Sequence, residues 1–380
     1  MAVRMLPPRE PTPKAPPHPM KRLELMDWLR LIAALFVMSF HYFVNGIANH
    51  KISSLEGFSA AAGIAQYGYL GVEFFFMISG YVILMSAQEK TARQFAVSRL
   101  LRLYPAFWAA VLLTSALAFF WGAGTTAVTL PQFAINLTMF SPAFGVEFVD
   151  EAYWSLLFEL RFYFLVLCFL LFGMQKRLAP LFIAWPALIA LATLSGLNHL
   201  PYMDGYYSYF AAGACFFLLR ERPRPLPLLS VFLSLALCLH FSLEKLRTGA
   251  GAIGLPYSET VVLIAVGAFF LFFFLLNTPS VSKLKLKGSQ LAGALSYPVY
   301  LIHAHCGYMI LSRFASEENK VFVYPLTILL ILLAAWCLHF FIEKKCARLW
   351  RALLEKTAGK LVERMEQGMG KLRQGFSKFT

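Results

Sequence analysis

The chain has 380 residues, of which 59% are hydrophobic and 14% charged, with a mean hydropathy of +0.62. Soluble domains carry about 25% charged residues, so a soluble enzyme, a disordered chain and a secreted disulfide scaffold are excluded and an integral membrane protein is expected. The net charge of +14, from 34 Lys and Arg against 20 Asp and Glu, would suggest nucleic acid on a soluble protein; here its meaning depends on where the cations fall between the apolar runs.

A Pro-rich arm, residues 1–20, comes first and is expected to be disordered. Ten segments then reach, or nearly reach, the length of a spanning helix: 25–45, 67–87, 103–122, 155–173, 178–196, 206–219, 226–241, 257–276, 291–312 and 322–342. The first lacks a small-residue cleavage site and reads as an uncleaved helix. With the N-terminus inside, 27 of the 34 cations fall in inward segments, five fall outside, and Arg30 and Arg161 remain within helices. This bias predicts an all-α, polytopic bundle of about ten transmembrane helices with both termini cytoplasmic. The membrane domain is expected over 21–345 and a basic amphipathic tail over 346–380. That tail reads either as a solvated helix end or as a helix lying on the anionic inner leaflet. The six cysteines all fall in spans or the tail, so no structural disulfide is expected. No metal-ligand spacing, Walker loop or Gly-x-Gly-x-x-Gly is present, so no metal and no permanently bound cofactor are expected. The charge pattern reads as topology, with no nucleic-acid partner.

A charge inside hydrocarbon is costly and needs a partner, a cavity or a function. The first span carries Asp27, Arg30 and His41. Eleven residues at about 100° each end about 20° past three turns, so Arg30 and His41 share a face about 16 Å apart. Asp27 is placed to pair with Arg30. His41 reads as a general base at the end of a polar seam, since imidazole titrates near neutrality; the plainer alternative is a buried histidine satisfied by a carbonyl. The second span carries Glu73, either functional or simply hydrated at its outer end. Before the third span, Arg99 and Arg102 share a face and suit either topology or phosphate binding. The acidic, aromatic stretch 142–153 could hold a sugar or be an ordinary hydrated loop. In the fourth span, Trp154 fits an interfacial belt; Glu159 and Arg161 point apart, and Glu159 is a candidate to orient His41. The ninth span brings Ser296, Tyr297, Tyr300, His303 and His305.

Five stretches in order resemble acyltransferase family 3 of integral membrane proteins. They are Asp27-x-Leu29-Arg30 with Arg30-x10-His41; Gly71-Val72 leading through Phe74 and Phe75 to Ser79-Gly80; Arg99-x-x-Arg102-x-x-Pro105; Trp154-Ser155-Leu156-x-x-Glu159-x-x-Phe162-Tyr163; and Ser296-Tyr297-x-x-Tyr300-Leu301-x-His303. The resemblance covers about residues 21–345. It implies transfer of an acyl group, acetyl being the expected one, from acyl-CoA as co-substrate to a hydroxyl of a cell-envelope carbohydrate or glycolipid. His41 would be the base or an acyl carrier, Arg30 its structural or donor-side partner, Arg99 and Arg102 the holders of CoA phosphates, and Glu159 a support from the facing helix. Glu73, Trp154, Tyr163, Ser296, Tyr297, Tyr300 and His303 are the further substrate-side candidates. The expected setting is the bacterial inner membrane, with the bilayer as partner and homo-oligomerisation left open. The rival reading is a transporter or flippase for a lipid-linked glycan or small metabolite, whose intramembrane charges would line a path.

Overall fold

A computed structural model describes residues 23–376 apart from 123, 222 and 250–253. The Pro-rich arm over 1–20 lies outside the described residues. Among those residues there is no strand. The helices are α1 (Glu24–Ala48), α2 (Ala62–Glu89), α3 (Ala92–Trp121), the short α4 (Leu130–Asn136), α5 (Glu151–Leu171), α6 (Gln175–Leu194), α7 (Gly205–Glu221), α8 (Pro225–Thr248), α9 (Glu259–Leu276), α10 (Ser289–Ile302), α11 (Ala304–Phe314) and α12 (Lys320–Lys345). The tail forms α13 (Ala347–Leu354) and α14 (Lys360–Phe376).

Eight of these helices are long and apolar enough to cross a bilayer: α1, α2, α3, α5, α6, α8, α9 and α12. The other two expected spans are present in altered form. α7 has 17 residues and is enclosed by α2, α6 and α8, so it presents almost no face to lipid. The ninth span is α10 followed by α11, and the helix ladder runs on through His303 between them, whose N–H donates to Val299 O and whose carbonyl accepts from Gly307 N (3.1 Å each). There the His303 ring Nδ1 takes the Tyr300 carbonyl (2.7 Å), and Tyr42 donates to the His303 carbonyl (2.8 Å).

The third span departs furthest from expectation. It begins at Ala92, eleven residues before the expected boundary, because Thr91 and Gln94 form a reciprocal capping box (3.2 Å each way). Arg99 and Arg102 therefore sit on a rigid helix and not in a loop. α1 also departs from regularity: it widens into a π turn over His41–Asn45, a feature frequent at functional sites. The run from Arg30 to Phe40 is regular helix, His41 opens the π turn, and Asn45 closes it.

Glycine sets the closest approach. α2 and α7 meet where Gly80 faces Phe210 O and Gly213 faces Met77 O, and a Cβ at either would overlap that carbonyl. The large apolar residues left exposed, such as Leu112, Phe119, Phe120 and Leu330, are the lipid-facing surface. One end of the bundle is tied by Lys285–Glu24 (2.9 Å) and Trp28 Nε1 to Lys287 O (3.2 Å), and carries most cations; it is called the basic end below. The tail docks there: Glu363 pairs with Arg93 (3.2 Å), the Trp350 ring lies 5.7 Å from Trp108, and Leu354 and Val362 are buried.

The stretch 142–153 is exposed over 142–145 and at Glu147, and turns inward from Val149 to Tyr153. Asn136 takes Val149 N (2.9 Å) and donates to Glu147 O (2.9 Å), while Asp150 and Tyr153 are fully buried. The preceding turn packs on the flank of α3, where Trp108 Nε1 donates to Leu137 O (2.9 Å).

Candidate active site between two cavities

His41 is fixed by two acceptors. Its Nδ1 lies 2.9 Å from Val37 O and 2.9 Å from His303 Nε2. The proton pattern follows from the far end of this pair. His303 Nδ1 faces the Tyr300 carbonyl, which only accepts, so Nδ1 carries the proton and His303 Nε2 is a bare lone pair. That lone pair must receive the His41 Nδ1 proton. His41 Nε2 is then left unprotonated, 3.6 Å from Glu151 Oε1. Glu151 is itself held by Asn45 Nδ2 (2.7 Å) and Tyr308 OH (2.6 Å), and by Lys51 on its other oxygen. Burial holds the Lys51 ammonium below the usual lysine value, with Asp150 and Glu147 pulling the other way.

A cavity of about 420 Å³ approaches this pair from the basic end. Arg30, Arg99 and Arg102 line it against one carboxylate, Glu159. Glu159 accepts from Ser79 (2.9 Å) and from Tyr163. The Arg102 guanidinium lies 5.2 Å from the Tyr297 ring, and Ser155 and Tyr300 share a hydrogen bond of 2.6 Å at the inner wall. A vestibule of about 910 Å³ shares Arg30 and Arg102 with it. From the opposite end comes a cavity of about 730 Å³, lined by Lys51, Gln132, Glu147, Glu151 and His305. His41 and His303 stand in the wall between the two: Tyr300 connects them to the first cavity and Glu151 to the second.

Among the expected site residues, Arg30, Arg99, Arg102, Glu159, Tyr163, Ser296, Tyr297 and Tyr300 converge on the first cavity. Arg30 also pairs with Asp27 (3.6 Å), as its spacing predicts. His41 and His303 meet directly. Glu159 does not reach His41; the carboxylate beside His41 is Glu151, read from sequence only as a sugar-loop residue. Glu73 stands apart. It is 2% exposed and paired with Lys245 (2.7 Å), whose ammonium lies 4.7 Å from the Tyr69 ring, and the pair lines a separate cavity of about 390 Å³. Trp154 is packed against Tyr206 (5.0 Å) and Phe158 (5.8 Å) and lines neither cavity. Asn45, Lys51 and Tyr308, which hold Glu151, carry no motif in the sequence that marks them. Asn45 follows His41 by four residues, which is the one local signal available.

A family model described as an acyltransferase domain matches residues 23–340. The chain belongs to acyltransferase family 3. It is a multi-pass membrane acyltransferase of the non-aminoacyl type, and the bilayer is its surroundings. The match ends within α12, ahead of the tail helices α13 and α14. No curated protein and no solved structure matches the chain.

Proposed function

We propose that this acyltransferase moves an acyl group, acetyl being the expected one, from acyl-CoA to a hydroxyl of a cell-envelope carbohydrate or glycolipid, with His41 as general base. The setting is the bacterial cytoplasmic membrane, with the basic end of the bundle inside. The observation that carries the reading is the chain of contacts through the His41–His303 pair (2.9 Å), which joins Tyr300 in the wall of one cavity to Glu151, 3.6 Å from His41 Nε2, in the wall of the other.

Acyl-CoA enters at the basic end, where Arg99 and Arg102 meet its phosphates and the thioester points toward Tyr300. The acceptor hydroxyl comes from the opposite cavity beside Glu151 and Lys51. His41 Nε2 takes the hydroxyl proton as the oxygen attacks the thioester carbonyl. Glu151 stabilises the imidazolium that results, and His303 fixes the ring and its tautomer. Collapse of the tetrahedral intermediate breaks the C–S bond, and the departing thiolate takes the proton from His41. The rival transporter reading has no observation in its favour that this one lacks.

The test is acyl-CoA-dependent O-acylation of envelope glycan in cells carrying His41→Ala at normal abundance, read by mass spectrometry. Acylation should fall to background. Undiminished acylation would remove His41 from the mechanism.

A further inference from the structure

One cavity outside the site described above is lined in part by the tail, beyond the residues that the family model matches. It has a volume of about 670 Å³ and sits between the first turns of α3 and the tail. Lys90, Thr91, Arg93 and Ser98 line it from the α3 side, and Arg351 and Glu355 from the tail. It shares Ser98 and Leu101 with the arginine-lined cavity. The two are therefore neighbouring compartments of one surface.

The lining holds Lys90, Arg93 and Arg351 against one carboxylate, Glu355, and with Arg93 taken by Glu363 a net positive charge remains for an anion. Lys90 Nζ and Arg99 Nε both donate to Ser98 Oγ, at 3.1 and 3.4 Å, so two cations converge on one hydroxyl. Burial first, then the Arg99 charge and more weakly Arg351, hold the Lys90 ammonium below the usual lysine value, against an opposing pull from Glu89. Arg93 is engaged by Glu363 of α14 (3.2 Å), which pins the tail in place. Trp350 is fixed by its bond to Ile342 O (3.0 Å) and its contact with Trp108. Its neighbour Arg351 is thereby set at the cavity, a guanidinium suited to phosphate oxygens. The cavity also opens on the N-terminus of the 30-residue helix α3, whose dipole favours negative charge.

We propose that this cavity binds a phosphate group at the nucleotide end of the acyl-CoA donor, with Arg351 of the tail and Lys90 as its cationic ligands. The proposal rests on acyl-CoA being the donor. The tail helices are then part of the donor site: they complete a subsite next to the cavity that takes the thioester arm.

The test uses full-length enzyme in nanodiscs, with acetyl-CoA and 3′-dephospho-acetyl-CoA as alternative donors. Arg351→Gln should raise the KM for acetyl-CoA on the order of tenfold, with kcat changed by less than about twofold. Arg351→Lys should recover most of the loss. With the dephospho donor, wild type and Arg351→Gln should be alike. Equal effects on both donors, or none on either, overturn the proposal. An effect present in anionic-lipid nanodiscs and absent in neutral ones assigns the phosphate to a lipid headgroup and also overturns it. Binding of adenosine 3′,5′-bisphosphate by calorimetry separates this from the donor reading. Binding to wild type that is lost in Arg351→Gln supports the subsite even where no acyl transfer from CoA occurs. Absence of transfer refutes the donor reading alone.

Discussion

Replacing Glu151 by Gln keeps the shape of the carboxylate and most of its hydrogen bonds while removing its charge. In the ground state His41 is neutral and gains little from that charge. In the transition state the ring carries a proton, and the carboxylate oxygen stands 3.6 Å from Nε2. At an effective dielectric of about 20 such a pair interacts by about 4 kcal/mol. Lys51 on the other carboxylate oxygen offsets about half, which leaves ~2 kcal/mol, or about a thirtyfold fall in kcat. The assay is single-turnover transfer from labelled acyl-CoA to a saccharide acceptor by purified enzyme at matched abundance. A double-mutant cycle adds the decisive readout: Glu151→Gln should cost nothing further in a His41→Ala background, because the two act as one unit. Glu159→Gln, by contrast, should act on the donor side. A kcat for Glu151→Gln within twofold of wild type, or additive losses in the cycle, would refute the reasoning.

Three further outcomes follow from the geometry. Arg99→Gln and Arg102→Gln should each raise the donor KM on the order of tenfold while leaving the acceptor KM near wild type, in steady-state kinetics with both substrates varied; a change in yield alone would return these arginines to topology. Gly213→Ala places a Cβ against Met77 O, so α2 and α7 must separate at a cost of about 1–3 kcal/mol; fluorescence-detected thermal unfolding in detergent should show a lowered midpoint, and an unchanged midpoint would mean that the helices are not in this contact. Glu73→Gln should destabilise by about 2 kcal/mol by leaving Lys245 unpaired, and adding Lys245→Met should recover most of it in the same assay. No recovery in the double variant would show that the pair does not act as a unit.

The parts of this architecture that depend on local periodicity were legible in the chain itself. Arg30 and His41 share a face because their spacing closes three helical turns, and no tertiary context was needed to see it. The apolar runs marked the helices for the same reason. The start of α3 is masked because its apolar content begins about a dozen residues after its capping residues, Thr91 and Gln94, so hydropathy marks the span and the cap marks the helix. The partner of His41 was legible only as a residue type. Several intramembrane carboxylates compete for that role, and the choice of Glu151 over Glu159 is made by packing between α1, α5 and α11, which brings together residues more than a hundred positions apart. The π turn over His41–Asn45 left no sign in the pattern. The docking of the tail was also hidden, because Arg93 and Glu363 look like two ordinary surface charges until they meet.

The most direct measurement is a sided transfer assay in proteoliposomes of defined orientation. Labelled acyl-CoA is supplied only at the basic end and a membrane-impermeant saccharide acceptor only at the opposite end. Wild-type enzyme should acylate the acceptor, and His41→Ala should reduce transfer to background without loss of protein or orientation. Transfer that requires both substrates on one side, or that persists in His41→Ala, would contradict a histidine base standing between two opposed cavities.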